Sequence, residues 1–210
     1  MRNKLPAISM LILSLAGCDL MTTRVPPDPE RNAVDDPTMQ KSQPSANVSG
    51  VEETRSPSRV TLQVLDFAGV EQLIASKRGQ VIVLDCWSTS CQPCRKAFPN
   101  LVALSREHRE QLACVSLSFD YEGIGKPEDQ REKVLTFLRE QGATFDNVLC
   151  SLESDLLSEK LDIPSIPAVF VYDRAGKLRK KFDNRNASKV GPFNYEQVQA
   201  FAEELLQEKG

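Results

Sequence analysis

An α/β domain, a central mixed β-sheet flanked by α-helices, is what residues 59–210 predict, and three observations carry that expectation. From Arg59 onward, short β-rich runs alternate with stretches of helical apolar period. The run Val81-Ile-Val-Leu84 is apolar without interruption, as befits a central strand covered on both faces. The segment Asp173-Arg-Ala-Gly176 reads as a turn between two strands, so the sheet ends in an antiparallel hairpin and is mixed rather than purely parallel.

In chain order, strands are predicted near residues 60–65, 81–86, 112–118, 168–172 and 177–182. Helices are predicted near 67–77, 93–109, 128–141, 153–160 and 194–208. The second helix is read from Ala97, Phe98, Leu101 and Val102, which recur at helical spacing. The polar, glycine-bearing stretch Tyr121-Glu-Gly-Ile-Gly-Lys-Pro-Glu-Asp-Gln is a connection before the third helix, solvated or partner-selecting.

The 210 residues, 40% hydrophobic and 26% charged, suit one well-cored domain with an appendage. A net charge of -3 with few aromatics offers no basic field for phosphates, so nucleic acid is not expected as a partner, and a monomer is. The appendage is N-terminal. Arg2 and Lys4 precede an apolar run from Leu5 to Ala16, which is short for a membrane span and has signal-peptide proportions. Its end, Leu15-Ala16-Gly17-Cys18, resembles the lipobox of bacterial lipoproteins. That resemblance implies cleavage of residues 1–17 and lipid on Cys18; an ordinary secretory leader is the alternative, and either exports the protein. Asp19 resembles an inner-membrane retention signal, so the expected location is the bacterial cell envelope, facing the periplasm, with the inner membrane favoured. Residues 18–58, with Pro26, Pro27, Pro29, Pro37, Pro44 and Pro57 among polar residues, are expected to be a disordered tether.

The chemistry lies in Cys91-Gln92-Pro93-Cys94. This CxxC follows the buried strand and opens a helix, where Pro93 suits the first turn because its missing N–H has no partner there anyway. At that position unpaired N–H groups and the helix dipole stabilise a thiolate, so the pKa of Cys91 is expected below the ordinary value of about 8.5. Cys94, one turn further in, is nearer to burial. Cys91 is therefore expected to attack and Cys94 to resolve. Two bland readings compete. Half of a zinc site needs two more ligands, and the chain has one histidine, His108, and no second CxxC. An inert structural disulfide has no need of a helix N-terminus.

The stretch from Val81 to Pro99 resembles the strand, Trp, CxPC and kinked helix of the thioredoxin superfamily, and within it of the TlpA and ResA-like reductases. Leu161-Asp-Ile-Pro-Ser-Ile166-Pro167-Ala-Val-Phe resembles that family's Ile-Pro segment. The resemblance covers roughly residues 59–208 and implies a thioredoxin-like fold, a cis Ile166–Pro167 bond against the CxxC, and an exposed backbone edge for substrate. It implies an exchange of dithiol and disulfide with proteins of the envelope, in the reducing direction, needing no cofactor or metal but an upstream thiol electron donor. Trp87, Ile166 and Pro167 are placed around the substrate, Trp87 as a packing wall rather than a chemical participant. Asp85 matches the family's buried acid; a carboxyl buried at a strand end has a raised pKa and can relay a proton for Cys94, whereas a solvated one does neither. Ser90 stands where the family usually has an aromatic and Cys86 where Phe is commoner, so substrate range does not carry over.

Cys86, Cys114 and Cys150 read as buried, unreactive thiols, with a Cys114 to Cys150 bridge left open. Arg95 and Lys96 either favour the thiolate or are merely solvated. His108 reads as a surface residue. Two other functions have signatures that this sequence lacks. A thiol peroxidase places its cysteine in a PxxxTxxC-like context, and no proline stands four residues before Thr89. A Sco-type copper chaperone resembles CxxxC with a downstream histidine, unlike the spacing here.

Overall fold

The computed structural model describes residues 59–208. The leader, the tether and Cys18 lie outside the described residues. Six strands form one sheet in the order β1-β4-β3-β2-β5-β6: β1 (Gln63–Leu65), β2 (Val81–Trp87), β3 (Leu112–Ser118), β4 (Asp146–Cys150), β5 (Ala168–Tyr172) and β6 (Leu178–Phe182). The helices are α1 (Phe67–Ser76), α2 (Gln92–Glu107), α3 (Arg131–Gln141), α4 (Ser154–Leu161), α5 (Ala187–Val190) and α6 (Tyr195–Gln207), with a 3-10 turn Pro127–Gln130 leading into α3. The pairs β1·β4, β4·β3 and β3·β2 are parallel, and β2·β5 and β5·β6 are antiparallel, which is the mixed sheet that the terminal hairpin predicts. Among the described residues no helix is long and apolar enough to cross a membrane.

Strand β2 organises both halves of the core. Side chains alternate across a strand, so Val81, Val83 and Trp87 enter one apolar cluster and Ile82, Leu84 and Cys86 the other. On the first face lie Phe98 and Leu101 of α2, Val134 and Leu138 of α3, and Val198, Ala202 and Leu205 of α6. On the second lie Val70 of α1 and Leu157 of α4. With helices on both sides, every residue of β2 is buried, which is why its sequence is continuously apolar up to Asp85.

Strand β4 was not expected from the sequence. Its apolar stretch is only Val148-Leu-Cys150, too short to register a period, and it is preceded by Asp146 and the buried Asn147. The fold makes use of that asparagine. Its Oδ1 accepts from Ser116 Oγ at 2.8 Å, and its Nδ2 donates to the carbonyls of Thr61, Ala143 and Phe145 at 3.1, 2.9 and 2.8 Å. The side chain so ties β4 to β3 and to the segments on either side with no polar atom left unpaired. At the far edge, the β5–β6 turn places Gly176 at φ 78, and Asp173 Oδ1 accepts from the backbone N–H of Ala175 and Lys177 at 3.0 and 2.9 Å.

No bridge joins Cys114 and Cys150; they are free and buried, as is Cys86. The strands that carry them are neighbours, but Cys114 belongs to the cluster beneath α2 and Cys150 to the opposite one. Burial pushes all three thiols upward in pKa, so they stay protonated.

Phe98, fully buried with its ring centroid 4.9 Å from Trp87 and 5.2 Å from Phe137, links α2 to the sheet and to α3. Phe98→Ala is expected to cost about 3–5 kcal/mol in urea unfolding. Leu156→Ala, at a position 46% exposed on α4, is expected to stay within about 0.5 kcal/mol. Equal losses would show that the first cluster is not where stability resides.

Candidate active site

Strand β2 delivers the chain to α2 through Ser88, Thr89 and Ser90. This loop is held by Asp120, just past the end of the neighbouring strand β3. The buried Asp120 carboxylate accepts from Thr89 N at 3.0 Å, from Thr89 Oγ1 and from Ser118 Oγ at 2.7 Å, and Lys133 Nζ of α3 stands 3.1 Å from it. The backbone N–H of Phe119 donates to Trp87 O at 2.8 Å, and that of Cys91 to Ser88 O at 3.2 Å. Sequence reading missed Asp120, because its role depends on a partner 31 positions away.

Cys91 is the N-cap of α2 and Pro93 lies in its first turn. The Cys91 and Cys94 sulfurs are bonded, with Cα atoms 5.3 Å apart, and Cys91 Sγ accepts from Cys94 N–H at 3.3 Å. The two cysteines differ in access: Cys91 is half-buried and Cys94 is 2% exposed. A sulfur at this cap faces the unpaired N–H groups of the first helical turn, where negative charge is favoured. Arg95 does not face the sulfurs; its guanidinium lies over the Phe137 ring, 5.6 Å from the centroid. Ser90, the departure from the family pattern, is exposed and shares a 3.0 Å hydrogen bond with Ser88.

The Ile166–Pro167 bond is cis. Its place follows from register: Cys86 pairs with Ala168 across the antiparallel β2·β5 ladder. Pro167 lies one residue beyond that last rung, at the end where the chain leaves β2 for the cysteines. Ile166 and Pro167 are both half-buried and line a cavity of about 550 Å³ with Pro93, Lys96 and Ala97 of α2. For Trp87 the packing reading holds and the place beside the substrate is corrected: an indole with 0% exposure, its centroid 4.8 Å from that of Phe137 with the ring planes tilted by 37°, has no surface to offer a substrate and is a wall of the core. Its Nε1 is buried without a hydrogen-bond partner.

Asp85 also lines that cavity, on the face of β2 that looks toward α2 and α6. It is 4% exposed and accepts a 2.9 Å hydrogen bond at Oδ2 from the hydroxyl of Tyr195. Burial pushes its carboxyl up to about 7, against the Tyr195 hydrogen bond, which lowers it. The site thus joins a half-exposed sulfur, a buried sulfur, a cis-proline edge and a carboxyl that changes charge near neutrality. His108 lies at the other end of α2 as its C-cap, with Nε2 3.5 Å from Glu203.

Comparison with known proteins agrees with this geometry. Residues 79–178 match the family model described as thioredoxin-like, a span that runs from β2 to the start of β6. The sporulation thiol-disulfide oxidoreductase A of Bacillus subtilis is 24% identical over 153 residues, 72% of this chain and 84% of that protein. The thioredoxin-like protein YneN of the same organism is 22% identical over 130 residues, 62% of this chain and 71% of that protein. Among solved structures, the thioredoxin-like superfamily protein SPOA0173 superposes with a TM-score of 0.50 at 19% identity, over 65% of this chain and 86% of that one, a likeness of fold.

The Asp85 environment has a consequence for stability. The folded protein keeps the proton up to about pH 7, whereas an unfolded aspartate releases it near 3.9. Between those values the folded state binds the extra proton, so Asp85 makes stability fall as pH rises from about 4 to about 7, with no further loss above. Asp85→Asn has no such slope. The variant is expected to be more stable than wild type at pH 8, by on the order of 4 kcal/mol at most, and the gap should close toward pH 4. A gap of equal size at pH 4 and pH 8 in urea unfolding would mean that the carboxyl is solvated.

Proposed function

We propose that this chain, a thiol-disulfide oxidoreductase of thioredoxin-like fold, reduces protein disulfides in the bacterial cell envelope while held to a membrane by lipid on Cys18. The observation that carries the reading is the inequality of the two cysteines: Cys91 is half-exposed at the N-cap of α2 and Cys94 is buried one turn inward. In the dithiol form the Cys91 thiolate attacks one sulfur of a substrate disulfide. A mixed disulfide forms and the other substrate sulfur leaves as a thiolate. Cys94 then gives its proton to the Asp85 carboxylate and attacks Cys91 Sγ. The Cys91–Cys94 disulfide forms, and the second substrate sulfur leaves and is protonated from solvent. Two electrons have passed to the substrate, and an upstream dithiol restores them.

Ile166 and Pro167 supply the docking edge in this reading. Proline has no N–H to compete for the sulfurs, and the backbone before it is open to an extended segment. Asp85 suits the relay because a group with a pKa of about 7 both takes and returns a proton near neutrality. The reducing direction is supported by the CxPC motif, since strongly oxidising relatives often carry histidine before the second cysteine. Location rests on the leader and on Leu15-Ala16-Gly17-Cys18.

The cysteine variants are expected to differ in kind. Cys94→Ser keeps the attacking sulfur but has nothing to resolve with, so it should accumulate mixed disulfides, visible as high-mass bands that vanish with reductant. Cys91→Ser should trap nothing and lose insulin-disulfide reduction. If Cys91→Ser traps partners and Cys94→Ser does not, the roles are exchanged; wild-type activity in both would make the pair structural. For the tether, mass spectrometry of the mature protein should find diacylglyceryl on Cys18, and a mature N-terminus elsewhere, without lipid, would rule the anchor out.

A further inference from the structure

We propose that the hydroxyl of Tyr195 is a positioning group that sets the proton affinity of Asp85, and through it the pH range in which the cysteine pair exchanges; the kinetic half rests on the relay reading above. Tyr195 opens α6 and lies beyond residues 79–178, so it is not part of the family match. Nothing in its sequence surroundings marks it, because its partner is 110 positions away.

The geometry is constrained from both sides. On β2, Asp85 has its orientation set by the ladder, pairing with Ser116 of β3 and Val169 of β5. On α6, Asn194 caps the helix by accepting from Gln197 N at 3.0 Å, while the Gln197 side chain accepts from Asn194 N at 3.1 Å. This reciprocal cap fixes the first residue of the helix. The Tyr195 hydroxyl then donates to Asp85 Oδ2 at 2.9 Å, and among the described residues it is the only hydrogen bond that this carboxyl accepts.

The other titratable groups around Asp85 do not substitute for it. Cys114 of β3 and Cys86 of β2 are buried thiols held protonated. Lys96 of α2 lines the same cavity but is an exposed side chain at its mouth. Cys94 on α2 is tied up in the disulfide in this state, and β5 presents apolar Val169. Burial and the adjacent carboxyl hold the Tyr195 phenol well above its usual range, so it stays a donor throughout the range in which Asp85 titrates. A donor of this kind favours the charged form of its acceptor. Without it the same desolvated carboxyl holds its proton to higher pH. The cavity reaches both residues, so a proton released there has a way out.

The test uses the full chain. Carbon-13 NMR of labelled aspartate carboxyls, with Asp85→Asn to assign the signal, gives the Asp85 titration midpoint in wild type and in Tyr195→Phe. The Phe ring retains the buried packing, and the midpoint is expected to move to higher pH by roughly one unit. Disulfide-exchange rates, read across pH 5 to 9, should shift with it: about tenfold slower at pH 6, and converging with wild type at high pH. In an Asp85→Asn background, Tyr195→Phe should leave the profile where it is, which a merely structural defect would not. An unmoved Asp85 midpoint in Tyr195→Phe overturns the inference. A moved midpoint beside an unmoved rate profile upholds the coupling and overturns the relay.

Discussion

Burial of β2 on both faces is the constraint from which the site follows. A strand covered by α2, α3 and α6 on one side and by α1 and α4 on the other has no solvent edge along its length. Its alternation assigns every side chain to one of two interiors. Val81, Val83 and Trp87 share the face beneath α2, and so does Asp85, the one ionisable carboxyl in the row. The same strand hands the chain to α2 after four residues, the last of them the N-cap Cys91, so the helix N-terminus, the first cysteine and the buried carboxyl all follow from one stretch of chain. The antiparallel pairing with β5 brings the cis Ile166–Pro167 bond to that end as well.

Desolvation then acts in one direction on every buried acid, with different outcomes. It keeps Cys86, Cys114 and Cys150 protonated and inert, since a thiolate in an apolar interior has no compensating partner. For Asp85 the cost is partly offset by one phenol, and the result is a carboxyl near 7. Cys91 is only partly buried and sits at the helix cap, beside the N–H groups of the first turn. The five cysteines among the described residues thus separate into a bonded pair at a helix start and three buried thiols.

Rigidity around the sulfurs comes from Asp120 as much as from the helix. A carboxylate that holds the Thr89 backbone and hydroxyl and Ser118, with Lys133 beside it, fixes the loop without filling the space in front of Cys91. The cavity lined by Ile166, Pro167, Pro93 and Lys96 adjoins the first turn of α2 from the cis-proline side. The absence of an aromatic at Ser90, which is exposed and bound to Ser88, leaves that approach without a flat apolar shelf.

Local and periodic signals were legible in the sequence. The uninterrupted apolar run before Cys91, the proline in the first turn of a helix and the Asp173–Gly176 turn are short-range patterns, and they sufficed for the α/β class, the mixed sheet and the CxxC at a helix start. The cis Ile166–Pro167 bond came from resemblance. Contacts between distant positions were beyond reach. Strand β4 carries as its second residue an asparagine whose four hydrogen-bond partners are spread from Thr61 to Ser116 to Phe145, and no window around residue 147 contains all of that information. Trp87 reads as a packing wall in the sequence, but that Phe98 and Phe137 are the rings that close over it is a matter of tertiary contact. Adjacent strands made a Cys114–Cys150 bridge conceivable until alternation put the two thiols on opposite faces. Sequence by itself thus determined which chemistry the chain carries, because sulfur spacing and helix position are local. Tertiary structure alone decided the electrostatic setting of Asp85, because burial and the Tyr195 hydroxyl are properties of what the fold brings together.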